Sequence, residues 1–173
     1  IGDHMISKEE ESQLNGIICS LKLPEEKLLR EKEIIRQLVA MREAAIEDLP
    51  LLSSTVPLRN GEVLHYETYG RLLKERIINQ FQSQGIRHRE IGYDTDMEGR
   101  ILLSNRRILI IEGGSRSYAL NRILDVSLSI EDHTVQLALD GRKSPLIFTM
   151  PDTGHFAGLL QQITEKLNQP AGI

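Results

Sequence analysis

The sequence contains no tryptophan, a single cysteine and few aromatic residues, which make up 4% of its 173 positions. With Cys19 alone no internal disulfide framework can form, so a reducing compartment is expected. No apolar run approaches the roughly 18 to 20 residues of a membrane-spanning helix, and no basic-then-apolar signal segment is visible before or after Met5. We therefore expect the protein to be cytoplasmic. This location is compatible with peripheral contact between the protein and a membrane surface. Residues 1–5 are interpreted as an expression-vector remnant with the start methionine.

Charge divides the chain into two parts. The net charge of −4 argues against a general nucleic-acid binder. Residues 1–57 hold seven Lys/Arg and eleven Asp/Glu, whereas residues 58–173 hold fourteen of each. We place a helical hairpin at 6–50, a linker at 51–57 and the main domain at 58–169.

The N-terminal part has the apolar periodicity of helices. Ser7 and Glu10 form a capping-box pattern, and Pro24 suits the start of a second, longer helix that extends to about Asp48. Its apolar stripe must bury against the first helix, the following domain or another copy, and we favour the domain or a partner. Cys19 is expected to pack as a small apolar side chain.

The stretch from Gly99 to Ile111 organises the rest of the chain. Two apolar runs flank the turn Ser104-Asn105-Arg106-Arg107, which predicts a β-hairpin with Asn105 in a left-handed turn conformation. Both runs are so apolar that at least one face of this hairpin must lie in a core. The sequence therefore predicts a sheet built around it.

Turn residues at regular intervals predict further short antiparallel strands, seven or eight in all. The expected segments are 62–69, 71–79, 86–93 (at an edge), 115–120, 124–130, 133–139 and 144–150. A helix capped by Asp152 or Thr153 follows, with Phe156 and Leu160 on its apolar face, and Pro170 ends it. The expected fold is α+β: a helical hairpin, then an antiparallel β-barrel whose open end this last helix plugs.

Several of these residues form a pattern that resembles the bacterial pleckstrin-homology-like (PH-like, GRAM-type) domain family. The matching motifs are Leu58-x-x-Gly61-Glu62, Gly99-x-Ile-x-Leu-Ser-Asn-x-Arg-Ile108, Ala119-Leu120-x-x-Ile123-x-x-Val126 and Pro145-Leu-Ile-Phe148. The chain departs from the family pattern at Ile110, where an aromatic residue is usual, and in having no tryptophan. The resemblance implies a barrel closed by a helix, and it implies architecture more than activity. It also implies that Arg107 has a structural role, holding backbone carbonyls.

No catalytic or cofactor-binding set emerges from the sequence. Asp94-x-Asp96-x-Glu98-Gly99 resembles half of a calcium loop, but Asn105 occupies the position of the essential glutamate, so we interpret the segment as a polar loop between strands. His65, His88, His133 and His155 lack ligand spacing. We expect no metal, no cofactor and no enzymatic activity.

Basic residues near the first strands are the remaining candidates for binding. A possible anion or lipid-headgroup site would use these side chains: Arg71, Lys74, Arg76, Arg87 and Arg89. Glu75 and Glu90 interrupt the cluster, so ordinary solvated strand faces are the preferred reading. Arg106 is a candidate contact for acidic partners.

These observations favour a non-enzymatic interaction or scaffold module. Strand edges and apolar helices offer pairing surfaces, so the expected partner is another protein or a second copy. The alternative is peripheral binding to an anionic membrane surface.

Overall fold

A computed structural model of the chain describes residues 5–168. Residues 1–4, interpreted above as a vector remnant, and the predicted helix end at Pro170 lie outside the described residues. Two helices precede a seven-stranded antiparallel sheet, which curls into a half-barrel, and a C-terminal helix closes it. The predicted α+β class is confirmed. Among residues 5–168 no helix combines the length and the apolar character needed to cross a bilayer.

The elements are named in chain order. The helices are α1 (Lys8–Leu21), α2 (Leu29–Ile46) and α3 (Thr153–Asn168). The strands are β1 (Leu64–Ser83), β2 (Ile86–Ser104), β3 (Arg107–Ile111), β4 (Ser115–Ala119), β5 (Ile123–Ser129), β6 (Thr134–Leu139) and β7 (Leu146–Thr149). Their order in the sheet is β4-β3-β2-β1-β7-β6-β5.

The predicted central hairpin forms between β2 and β3 and is buried on both faces. Ile101 and Ile108 belong to the main core, inside the curled sheet. Leu102 and Leu109 face the other way, where Val56 from the segment before β1 covers them. Alternate side chains of a strand point to opposite faces, so an apolar run without alternation indicates a strand that is covered on both sides.

Helix α3 plugs the half-barrel as predicted. Phe156 and Leu160 are fully buried, and the ring of Phe156 lies 5.8 Å from that of Tyr66 and 6.2 Å from that of Phe148. The helix therefore supplies the inner layer of the core.

Helix α2 packs closely against α3. Its buried residues are Gln37, Met41 and Ala44. A methyl group at Gly158 of α3 would overlap the backbone carbonyl oxygen of Met41. Gln37 also provides a hydrogen-bond acceptor for a backbone N–H group in the first turn of α3. Its side-chain oxygen accepts from the Gly154 N–H at 2.7 Å. The expected docking of this helix on the following domain is therefore observed.

The N-terminal helix behaves differently. Ser7 and Glu10 form the predicted capping box, but no residue of α1 is buried, and Ile17 and Leu21 are more than half exposed. Cys19 is exposed, so the expectation that it packs in a core was wrong. Helix α2 begins at Leu29 rather than at Pro24, because a short 3-10 turn at Glu25–Lys27 comes first.

The first two strands are twice as long as predicted. Segments 62–69 and 71–79 merge into β1, while segment 86–93 and the first half of the central hairpin merge into β2. Gly70 was taken as the break between the two predicted segments of β1, and residues 94–98 as a loop between the two predicted segments of β2, but all of them lie inside strands. At Gly70 a side chain would come 2.6 Å from the carbonyl oxygen of Thr149, and at Gly92 it would overlap the side chain of Ile78. The last four strands match their predicted bounds within two residues.

The close contact of α2 with α3 predicts a strong effect of Gly158→Ala. The added methyl group must displace the α2 backbone, so we expect the free energy of unfolding to fall by about 2 kcal/mol or more. Gly16→Ala is the matched control: no atom lies within 4 Å of the added carbon in α1, and we expect a gain of up to about 1 kcal/mol. Urea unfolding of both variants measures the difference. Equal effects would contradict the close α2–α3 contact.

Candidate functional site

The outer halves of β1 and β2 leave the sheet as a two-stranded ribbon, here called the arm (residues 74–94). Strand β7 pairs with β1 only at Arg71–Leu73, and β3 pairs with β2 only at Arg100–Leu103. Beyond these positions β1 and β2 pair only with each other as far as the tight turn at Gln84-Gly85, where both residues have positive φ. At about 3.3 Å per residue the arm is roughly 30 Å long.

The arm exposes large apolar side chains on both faces. Between 36% and 62% of the surface of each is open to solvent. They are Ile77, Ile78, Phe81, Ile86, Ile91 and Tyr93. An isolated two-stranded ribbon is at best marginally stable in water, and clustered exposed apolar residues are typical of contact surfaces. The arm is thus the part of the described chain best suited to contact another molecule.

The two edges of the arm differ in regularity. Strand β1 carries a bulge at Ile78, because Ile77 pairs with Ile91 and Asn79 with Glu90. Strand β2 is regular from 86 to 95 and has its only bulge at Asp96. Bulges interrupt the backbone pattern that a new strand would need. The outer edge of β2 is therefore the edge open to strand addition.

The basic residues proposed as an anion site all lie on or beside the arm, but the strand register separates them. Lys74 and Arg76 pair with Asp94 and Gly92 on one face. Because Arg87 and Arg89 are five and three residues from Gly92 on a regular strand, alternation places them on the opposite face.

Arg71 stands at the base of the arm, where it forms an ion pair with Glu98 at 3.3 Å. Three of the predicted residues nevertheless line one open cleft of about 540 Å³ beside β1. Its charged residues are Lys74, Arg76, Arg89 and Arg142, together with the acidic Glu75 and Asp96. Its charges are mixed, so the proposed anion site stays a prediction.

The calcium-loop resemblance has a different explanation. Asp94, Asp96 and Glu98 lie within β2, so their assignment to a loop between strands was wrong. Each carboxylate pairs with an arginine: Arg76 holds Asp94 at 3.5 Å, Arg116 holds Asp96, and Arg71 holds Glu98. Within residues 5–168 no group of three or more His, Cys, Asp or Glu residues is arranged to hold a metal ion.

A buried carboxylate, that of Glu62, lies at the end of β1 and β2 that is opposite the arm, next to the turn between β2 and β3. The side chain of Glu62 is fully buried, and Arg107 donates to it from Nε at 2.8 Å and from Nη2 at 3.0 Å. Ser104 Oγ donates at 2.7 Å and the Arg59 N–H at 2.8 Å. Burial raises the pKa of Glu62, but these donors, Arg107 foremost, outweigh it and lower the pKa to about 2.

Two expectations about this turn need correction. Arg107 was expected to hold backbone carbonyls and instead binds the Glu62 carboxylate. Asn105 was expected in a left-handed conformation, but its φ is not positive. Its side-chain oxygen accepts from the Val63 N–H at 2.9 Å, and its side-chain nitrogen donates to the Gly61 carbonyl at 3.2 Å. The residue therefore ties the turn to the start of β1.

Comparison of the chain with known protein families finds no match, and none of the curated proteins matches it. The resemblance to PH-like domains therefore remains a prediction from the motifs.

The lowered pKa of Glu62 predicts an acid-sensitive fold. Because the folded-state pKa of about 2 lies below the ordinary 4.5, ionised Glu62 stabilises the fold above pH 4.5, and this contribution is lost as the pH falls toward 2. The difference corresponds to about 3 kcal/mol. Glu62→Gln should lower the free energy of unfolding at pH 7 and make its decline between pH 5 and 2 shallower, as denaturant titrations would measure.

We expect part of the stability loss that remains in that variant to come from Glu33. Hydrogen bonds from Arg36 and Gln37 lower the pKa of Glu33 to about 2. The exposed Glu25, paired with Lys32, provides the control substitution Glu25→Gln. An unchanged acid profile in Glu62→Gln would contradict the assigned role.

Proposed function

We propose that this protein is a non-enzymatic interaction module that assembles with a second copy of itself through the arm. The observation that carries the proposal is the regular outer edge of β2 from 86 to 95, which no strand among the described residues covers. An uncovered regular edge next to exposed Ile91 and Tyr93 is a template for strand addition. A second copy offers the same edge, which permits antiparallel pairing about a two-fold axis.

Charge limits the possible registers of such a pairing. Two-fold antiparallel pairing of β2 with its copy brings residues at equal distances from the axis directly opposite each other. An axis at Arg89 or at Glu90 would set identical charges against each other, and an axis at Gly92 would set Glu90 against Asp94. Like charges in direct opposition destabilise a strand pair. Further along, the pairing would run into the bulge at Asp96.

An axis at Ile91 avoids these conflicts. It sets Ile91 against its own copy, Arg89 against Tyr93 and His88 against Asp94. These are an apolar pair, a cation–aromatic pair and, when the histidine is protonated, a pair of opposite charges. Since Ile77 pairs with Ile91 inside each arm, the assembled ribbon would carry four isoleucines in one row across four strands. This register supplies a cover for side chains that are half exposed in the single chain.

The two-fold register is tested by crosslinking. In a Cys19→Ser background, Ile91→Cys places two thiols opposite each other, at the roughly 4.5 to 5.5 Å separation of Cα atoms in antiparallel pairs, which suits a disulfide. We expect a covalent dimer on mild oxidation. Tyr93→Cys is the control, because in this register residue 93 faces residue 89 and not its own copy. Equal crosslinking of the two variants would reject the register.

Self-association itself is tested by sedimentation velocity. Ile91→Glu puts two carboxylates on the axis, and we expect it to convert a dimer into a monomer with little change in the melting temperature of the subunit. Ile78→Glu is a matched control, because this isoleucine has similar exposure but lies on β1, over Gly92. A monomeric unsubstituted chain at 100 µM, or dissociation by both substitutions, would contradict the proposal.

A second candidate function is peripheral binding of anionic lipid headgroups through Arg71, Lys74, Arg76, Arg87 and Arg89. The supporting observation is that exposed Phe81 and Ile86 lie near the tip of the arm, close in sequence to Arg87 and Arg89, which pair with no carboxylate among residues 5–168. It predicts sedimentation with acidic liposomes that weakens as salt increases. Lys74→Glu with Arg76→Glu should abolish it, and binding that persists after this double reversal would count against this function.

A further inference from the structure

Four arginines meet in a small cleft at the end of the half-barrel opposite the arm. Arg59 comes from the segment before β1, and Arg106 from the turn between β2 and β3. Arg107 is the first residue of β3, and Arg122 lies in the connection between β4 and β5. The end of β4, with Ser117, forms the rest of the wall, and the cleft has a volume of about 210 Å³. No acidic residue lines it.

Most arginines elsewhere in the chain are neutralised. Of the fourteen arginines in the sequence, eight form ion pairs with carboxylates of the described residues. These are Arg30, Arg36, Arg42, Arg71, Arg76, Arg100, Arg107 and Arg116. Arg59, Arg106 and Arg122 pair with no carboxylate between residues 5 and 168, yet all three line the same cleft. Like charges gathered without a counter-charge repel one another, and a bound anion removes that repulsion.

The surrounding hydrogen bonds hold the cleft in shape. Glu62 fixes the Arg107 guanidinium through Nε and Nη2, and it also accepts from the Arg59 N–H. Ser104 Oγ accepts from the backbone N–H groups of Arg106 and Arg107 at 3.2 and 3.0 Å. Arg122 donates to the carbonyl oxygen of Asp140 at 2.6 Å. Because the negative charge of Glu62 neutralises only that of Arg107, the cleft keeps an excess of three positive charges. The backbone of Arg59, Arg106 and Arg107 is held by these hydrogen bonds.

We propose that this arginine cleft binds the phosphate group of a phosphate monoester. Guanidinium groups offer planar pairs of N–H donors that match phosphate oxygens, and the cleft presents arginine without any lysine. A dianion suits an excess of three positive charges better than a single carboxylate does. The volume is below the roughly 300 Å³ at which pockets for drug-sized ligands begin, so it suits the phosphate and its nearest atoms, with the rest of the ligand outside.

The proposal is tested by calorimetric titration with inorganic phosphate and with glycerol phosphate, against sodium chloride and acetate at equal ionic strength. The triple variant Arg59→Gln, Arg106→Gln, Arg122→Gln should weaken phosphate binding at least tenfold. The triple variant Lys22→Gln, Lys27→Gln, Arg30→Gln removes the same charge at exposed positions away from the cleft and the arm, and it should stay within threefold of the unsubstituted chain. Arg106→Lys, which keeps the charge but loses the paired donors, should give an intermediate loss.

Vesicles containing phosphatidic acid distinguish a lipid headgroup from a soluble ligand. Vesicle binding that the cleft triple variant abolishes would identify the phosphate as a lipid's, whereas binding of glycerol phosphate without vesicle binding would identify a soluble ligand. The phosphate assignment is overturned if phosphate gives no saturable heat beyond the chloride and acetate controls. It is also overturned if both triple variants lose binding equally while their melting temperatures match that of the unsubstituted chain.

Discussion

The buried carboxylate of Glu62 joins three pieces of chain that are distant in sequence. It accepts hydrogen bonds from the Arg59 backbone, from the last residue of β2 and from the first residue of β3. A charge buried in this way is tolerated only when donors surround it, so the geometry of this turn and the ionisation of Glu62 depend on each other. The start of β1, the β2–β3 turn and, through that turn, the position of the central hairpin all follow from this one carboxylate.

The same two strands that begin at Glu62 and end at Ser104 also build the arm. Within the half-barrel, β1 and β2 are covered by β3, β7, α3 and the segment around Val56. Beyond Leu73 and Arg100 that cover stops, while β1 continues for ten more residues and β2 has fourteen residues before Arg100. Pairing within one ribbon satisfies only half of each strand's backbone groups and hides little apolar surface. The exposed Ile and Phe side chains on this ribbon are therefore the observation on which the proposed self-association rests.

The fold could be predicted from the sequence wherever a residue pattern is compatible with only one local structure. The two sides of the central hairpin, residues 101–103 and 108–111, are apolar throughout, and only strands covered on both faces accommodate such runs. Glycine is ambiguous, because it marks a turn at Gly61 but a close contact between neighbouring segments at Gly70 and Gly92, and only the three-dimensional packing separates the two. Taking Gly70 as a break and residues 94–98 as a loop divided two long strands into four and concealed the arm.

The candidate sites could not be predicted for a different reason. Acidic and basic side chains form ion pairs with residues that are far apart in the sequence. The acidic series Asp94, Asp96 and Glu98 resembles a cation site until its arginine partners are seen on β1 and β4. The arginines of the cleft come from three separate segments. Three of them, Arg59, Arg106 and Arg122, pair with no carboxylate among residues 5–168, and no local motif encodes that property. Arm and cleft occupy opposite ends of β1 and β2, so the proposed phosphate site and the proposed dimer surface have no residue in common. Because Ser104 belongs both to β2 and to the frame of the cleft, the cleft and the arm are built on the same strand.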